Sequence, residues 1–260
     1  MKMTMRNSAI ITTLLERRSI RRFSPEPIDP EIVETLERAA QQAPTSGYLN
    51  DWSALRITDP QFKARLAHIG EQGYIAQAPL LYVFIADEHR NISIAQAKGV
   101  DVNDPEFTIN ASYRFTQAQN DAVLALSAME TAANSLGLGC VVLGSLLNDV
   151  NGLIDLMHLP KYTYPVLGLA IGKPAQAPAI KPRMPRAAQF FDNTYPADDG
   201  EIMEAMKEFD QKVHHYYDLR QADRPVDAFS DQVAKKSVCQ EELSKAVFPA
   251  ATRQGFRLDR

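Results

Sequence analysis

The sequence holds little that would staple a protein, anchor it in lipid or draw it to a polyanion. It has only two cysteines, Cys140 and Cys239, and no CxxC spacing. That removes zinc ribbons and dithiol redox motifs, and a structural disulfide is a poor expectation in a cytosolic chain. No apolar run approaches the ~20 residues of a membrane span. The longest, Leu80 to Ala86, is strand-like. Excess positive charge is missing too: 28 Lys and Arg face 32 Asp and Glu, giving a net charge of -4 and a pI of about 5.8. Nucleic-acid binding through a global basic surface is therefore not expected. His68, His89, His158, His214 and His215 form no HExxH or comparable spacing, so no metal site is assigned. No Walker loop, GxSxG elbow or GxGxxG fingerprint occurs.

What is present is a globular balance, 45% hydrophobic and 23% charged over 260 residues. It excludes disorder, collagen and coiled coil, and allows one large domain or two small ones. Lys2, Arg6 and the run from Ala9 to Leu15 superficially resemble a signal peptide. Glu16-Arg17-Arg18 cuts that run short, and no small-residue cleavage site follows. A short amphipathic helix in a cytoplasmic protein is expected.

Asp29-Pro30, Asp59-Pro60 and Asp104-Pro105 carry the same helix-start device. The Asp accepts orphan amide protons, and Pro at the first helical position has no donor to leave unpaired. Apolar spacing predicts helices from Pro30 to about Gln42, from Pro60 to His68, and from about Arg114 to Leu136. The long helix is rich in Ala and apolar at Ala118, Ala122, Leu126, Met129, Ala132, Ala133 and Leu136, which suits a core or a subunit interface. Gly137 stops it. Strands are predicted at Ala54–Thr58, Leu80–Ala86, Cys140–Gly144 and Val166–Ile171, a mixed α/β or α+β layer pattern. Beyond Pro174 the chain becomes Pro-rich. After Gly200 a polar helix is expected, followed by loop-like sequence. This tail could hardly form a core alone, and is expected to wrap the main body or a partner subunit.

Four segments could carry chemistry. The first 30 residues hold six Lys and Arg against three Asp and Glu. If the chain from Arg17 to Arg21 is extended, Arg17, Ser19 and Arg21 share one face and Arg18, Ile20 and Arg22 the other. Two guanidinium forks with a hydroxyl between them suit a phosphate dianion; a solvated basic loop is the alternative. Pro44-Thr45-Ser46-Gly47-Tyr48-Leu49-Asn50 gathers small hydroxyls, a Gly and a carboxamide, either a polar-ligand rim or an ordinary turn. Gly137 to Ser145 leads from a helix into a strand, where Gly144-Ser145 could admit a flat ligand to backbone amides or simply turn the chain. Lys181-Pro182-Arg183 sets two cations on a stiffened loop, an anion clamp or a solvated surface.

In this order and spacing, these features resemble the flavin-dependent nitroreductase family, in its NADPH-linked branch of group A nitroreductases and NADPH–flavin oxidoreductases. The matching text is Arg18-Ser19-Ile20-Arg21-Arg22-Phe23, Pro44-Thr45-Ser46 with Asn50, Glu71 to Pro79, Ser135 to Gly139 with Leu143-Gly144, Leu167 to Gly172 with Lys181 to Pro185, and Tyr216-Tyr217 through Asp231. The resemblance covers nearly the whole chain. It implies an α+β homodimer with a small, mostly antiparallel sheet flanked by helices. It also implies one nitroreductase-like domain over residues 1–260, whose extension from 190 to 260 wraps the body or exchanges between subunits. FMN would sit at the dimer interface.

Position by position, the resemblance implies that Arg17, Ser19 and Arg21 hold the FMN phosphate and ribityl end, with backbone from Arg18 and Ile20. Lys181 and Arg183 would complete the anion site. Ser46, Asn50 and Gln72 would touch ring or ribityl atoms, Tyr74 would lie beside them, and backbone at Leu143, Gly144 and Ser145 would line the reactive edge. Arg220 and Arg224 would hold the 2′-phosphate of NADPH. Relatives often carry His at Arg17, Gln at Asn50 and Arg at Leu147. The implied activity is hydride transfer from NADPH to nitroaromatics, quinones or free flavin by ping-pong kinetics, with no catalytic side chain. A flavin-binding redox sensor or carrier, and a flavin, ferric or azo reductase, are the alternatives. A nucleic-acid binder would rest on the cluster from Arg17 to Arg22 alone.

Overall fold

The structure, a computed structural model, describes residues 8–214, 216, 227–245 and 247–259. The expected Asp-Pro device opens two helices. Asp29 accepts from the Glu31 amide at 2.9 Å and starts α2 (Pro30–Gln41). Asp59 accepts from the Gln61 amide at 2.8 Å and starts α3 (Pro60–Ile69). They follow α1 (Ala9–Glu16), which Ser8 caps.

The third Asp-Pro pair departs from expectation. Asp104 accepts from the Glu106 amide, yet the chain only turns there, and α5 (Ser112–Ser135) begins later. Tertiary pairing overrides the local signal: Ala111 bridges Arg257, and the Arg257 amide donates to the Asn110 carbonyl at 2.8 Å. The sequence reading also passed over α4 (His89–Ala97) and α6 (Val150–Leu156).

The strands β1 (Trp52–Arg56), β2 (Leu80–Asp87), β3 (Gly139–Leu143) and β4 (Thr163–Gly172) lie within a few residues of their expected bounds. They form one antiparallel sheet ordered β1-β2-β4-β3. This is the α+β arrangement of a small antiparallel sheet flanked by helices. Every residue of β2 is buried, so both faces of the sheet are covered. Leu80, Tyr82, Phe84 and Ala86 face a core shared with α2 and α5, while Leu81, Val83 and Ile85 face one shared with α3 and α6. The ladder slips between Phe84 and Ile85, opposite Leu167 and Pro165. Pro165 has no amide proton for an unbroken ladder, and a bulge is where a central strand tolerates it.

The chain divides into two compact units. The first runs to Ala177 and resumes from Lys245 to the end. In it, α10 (Val247–Arg253) and Phe256 return to the α5 side of the sheet, and the Phe256 ring lies 4.6 Å from that of Phe115. The second unit, Pro178–Ser244, holds the expected polar helix α7 (Gly200–His214). Where loop was expected, it forms α8 (Phe229–Ser237) and α9 (Gln240–Leu243). Here Phe209 meets Phe229 at 5.3 Å, and Ser230 donates through both amide and hydroxyl to Asp210. Among the described residues no helix is long and apolar enough to cross a membrane.

Candidate functional site

After α1 the chain straightens and runs alongside β3. Ser19 bridges Cys140 in parallel, and the Ile20 amide donates to the Cys140 carbonyl at 2.9 Å. Phe23 then pairs with Pro174, just past β4. Ile20 is the buried anchor of this segment. It fits because residue 139 is glycine: a Cβ there would stand 2.6 Å from Ile20 Cγ1.

Alternation sets Ser19 and Arg21 on the face opposite Ile20, where both are half-buried, while Arg22 is exposed. Arg17 Nη2 reaches Ser19 Oγ at 3.5 Å, and Arg17 Nε donates to Glu130 of α5 at 2.6 Å. Arg21 makes no hydrogen bond or ion pair with the described residues. Arg18 Nε donates to the Glu16 carbonyl. Burial drives the Cys140 thiol far above its ordinary range; Glu130 adds to the effect and Arg17 opposes it.

The Pro44–Asn50 loop turns through left-handed backbone at Gly47, Tyr48 and Asn50. One carboxylate fixes it. The Ser46 amide reaches Asp121 Oδ1 and Oδ2 at 3.0 and 2.9 Å, and the Ser46 hydroxyl donates to Oδ1 at 2.9 Å. Asp121 belongs to the buried face of α5. Asn50 turns elsewhere. Its Nδ2 donates to the Tyr48 carbonyl, and it borders a cleft of about 610 Å³ with Glu37, Trp52, Tyr82 and Arg90, which no other expected contact lines.

Behind this loop Asp51 and Glu88 are fully buried. Asp51 lies in hydrogen-bond reach of both Asp121 and Glu88. Burial, reinforced by these carboxylates, pushes Asp51 up to about 8. Burial likewise pushes Glu88 up to about 7.

Across the sheet, Tyr74 donates its hydroxyl to Gln72 Oε1. Gln72 lines a cleft of about 400 Å³ with Gly73, Asn148 and Asp149, so the Gln72 turn and the chain after β3 share one depression. Leu143 is buried and Gly144 exposed. Ser145 Oγ is buried without a partner among the described residues, and a Cβ on Gly70 would come within 3.1 Å of it.

The structure thus brings Arg17 and Ser19 together, ties Ser46 to α5, and sets Gln72 beside the β3 exit. Lys181 and Arg183 belong to the second unit, where Arg183 Nη1 donates to the Lys181 carbonyl. Arg220 and Arg224 lie outside the described residues. Sequence reasoning missed Glu130, Asp121, Asp51 and Glu88. A signal existed for Asp121, a carboxylate in helical register with Ala118, Ala122 and Ala125. Asp51, in a polar loop, gave none.

Residues 14–173 match the model of the nitroreductase family, and residues 181–259 match that of the nitroreductase family, C-terminal domain. The FMN reductase (NADPH) of Bacillus subtilis (strain 168) is 32% identical over 224 residues, 86% of this chain and 89% of that one. Among solved structures, the NfrA1 nitroreductase from B. subtilis superposes with a TM-score of 0.86 at 29% identity, covering 95% of this chain and 98% of that one. The NADPH:FMN oxidoreductase from Vibrio harveyi, complexed with NAD+, gives 0.82 at 26% identity, covering 96% and 99%.

Proposed function

The chain belongs to the nitroreductase family, and on that footing we propose that it is an FMN-dependent oxidoreductase that draws hydride from NADPH and reduces nitroaromatics, quinones or free flavin in a ping-pong cycle. The observation that carries this reading is the extended segment on the β3 edge, whose Ser19 and Arg21 lie on the face opposite buried Ile20, beside Arg17. Two guanidinium groups and a hydroxyl suit a terminal phosphate. The unpartnered Ser145 Oγ and the exposed Gly144 suit the polar edge of a flat ring.

The chemistry FMN supplies when bound is two-electron transfer between NADPH and an acceptor. The chain's own residues bind and orient. Arg17, Ser19 and Arg21, with backbone of Arg18 and Ile20, hold the phosphate end; the family resemblance gives Lys181 and Arg183 an anion-binding role. Ser46, Asn50, Gln72 and Tyr74 meet polar atoms of the ring and ribityl chain. Amides at Leu143, Gly144 and Ser145 stabilise developing negative charge without reorganising. Arg220 and Arg224 take the 2′-phosphate of NADPH. No side-chain acid or nucleophile is needed.

The same reading makes the protein a cytoplasmic homodimer, one domain whose C-terminal extension exchanges between subunits. Ile10, Leu14 and Leu15 of α1 and Val123 and Leu124 of α5 are exposed apolar side chains that suit a subunit interface. The compactness of residues 178–244 as a unit suits an exchanged arm.

The test is direct. The purified protein should be yellow, release FMN into the supernatant on acid precipitation, and lose its flavin absorbance on adding NADPH. Steady NADPH oxidation with a quinone or nitroarene separates an enzyme from a flavin carrier. A colourless protein that takes up no FMN would overturn the proposal.

A further inference from the structure

Asp51 presents two buried carboxyl oxygens, and no donor among the described residues reaches either of them. Its backbone carbonyl accepts the Asp87 amide at 2.8 Å at the start of the β1–β2 pairing. What faces it instead are acceptors. Asp121 comes from α5, and Glu88 from the turn into α4.

The charges around this trio are few. Arg114 of α5 and Asp87 of β2 act on Glu88. Arg90 of α4 is engaged with Asp87 and with the Asn50 and Trp52 carbonyls. Among the described residues no cation pairs with Asp51.

Three ionised carboxylates packed together in a core repel one another and lose their hydration; one of them holding a proton relieves both costs. The hydrogen bonds say which one. Asp121 already accepts the Ser46 amide and hydroxyl. Glu88 accepts from Asn91 Nδ2 and has Arg114 nearby. Asp51 alone receives no side-chain donor among the described residues. A carboxylic acid at Asp51 turns an acceptor facing acceptors into a donor facing acceptors.

We propose that Asp51 carries a proton in the working protein, that it donates this proton to Asp121, and that Asp51 is thereby a positioning residue for Ser46 and its loop. The chain Asp51–Asp121–Ser46 then joins the first residue before β1 to the middle of α5 and to the Pro44–Asn50 turn. Ionised Asp51 would repel Asp121, the carboxylate that holds Ser46 by both amide and hydroxyl. The consequence for flavin rests on the reading of Ser46 as a flavin contact; the location of the proton does not.

The experiment has two arms. Infrared difference spectra of wild type against Asp51→Asn near neutral pH should show the C=O band of a protonated carboxylic acid in wild type only. Glu88→Gln should leave that band in place. In wild type alone, the band should fade as pH is raised, which keeps the test alive if the variants fold poorly.

In the second arm, the apoprotein is titrated with FMN from about pH 7 to about pH 9, where the flavin phosphate is already dianionic. Wild-type affinity should fall by about tenfold, the worth of one hydrogen bond held or lost. Asp51→Asn, which keeps a donor and cannot ionise, should bind as well as wild type at the lower pH and stay flat. No acid band in wild type, or a band that survives Asp51→Asn, overturns the proton assignment. A band at Asp51 with the same pH dependence in Asp51→Asn overturns the positioning role. If Ser46→Ala leaves FMN affinity unchanged, the flavin-contact reading of Ser46 fails, and the infrared arm still decides where the proton sits.

Discussion

Arg17 donates its Nε to Glu130 at 2.6 Å, with the two side chains only 26% and 14% exposed. The contact fastens the chain after α1 to the C-terminal half of α5. It also orients the guanidinium, whose Nη2 reaches Ser19.

Removing either partner strands a shielded charge. Arg17→Gln and Glu130→Gln should each lower stability by about 1–3 kcal/mol. The double variant should lose less than the sum, because one interaction is being counted twice. Urea unfolding of the four proteins measures this; strictly additive losses would show that the pair contributes nothing.

Arg21, unengaged by the described residues, is the side chain with most to offer an incoming phosphate. Arg21→Ala should weaken FMN binding by about 1.5–3 kcal/mol, one charge-assisted bidentate contact, and change folding stability little. Flavin fluorescence titration of the apoprotein reads this directly. Unchanged affinity would move the phosphate elsewhere.

Gly139 has no room for a methyl group, since a Cβ would meet Ile20 at 2.6 Å. Gly139→Ala should push the Ile20 segment off the β3 edge, costing about 1–3 kcal/mol of stability through overpacking and loosening FMN with it. Ile20→Val in the Gly139→Ala background should recover little of either, because valine keeps Cβ, Cγ1 and Cγ2, the atoms in the way. Paired melting and FMN-binding curves give the answer, and a Gly139→Ala protein as stable as wild type would show that the segment has slack.

Burial in the folded state raises Asp51 from its ordinary value of 3.8 to about 8. Between those values the folded state binds a proton that the unfolded state has released. Stability therefore falls as pH rises through that window, by up to about 1.4 kcal/mol per pH unit from this group. Asp51→Asn removes the effect, so its melting temperature should change less than that of wild type between weakly acidic and weakly alkaline buffer. Parallel curves for the two proteins would contradict the raised value.

Arg220, assigned by resemblance, makes a kinetic prediction. Arg220→Ala should raise KM for NADPH, leave kcat nearly unchanged and spare NADH, which has no 2′-phosphate to lose. Equal losses with both nucleotides would sink the assignment.

The parts of this fold that were legible in advance are those whose cause is local. Asp29-Pro30 and Asp59-Pro60 satisfy their own helix ends, and the apolar run of β2 declares a strand buried on both faces. Asp104-Pro105 carries the same local signal and fails, because its outcome is set by Arg257, far along the chain. The site divides in the same way. The alternation from Arg17 to Arg21 can be read from five residues. The Ser46–Asp121 clamp and the Arg17–Glu130 pair join positions 75 and 113 residues apart, which no window of sequence spans.

The return of Phe256, Ala250 and Ala251 to the α5 side of the sheet has a consequence for biosynthesis. Phe115 and Tyr164 are translated long before the ring that covers them. Until the ribosome has released the segment after Lys245, that end of the core stays open, and the nascent chain holds a sheet it cannot yet close. Such a chain invites chaperone binding until that segment emerges, and a truncation at Lys245 would leave the earlier-made sheet uncovered.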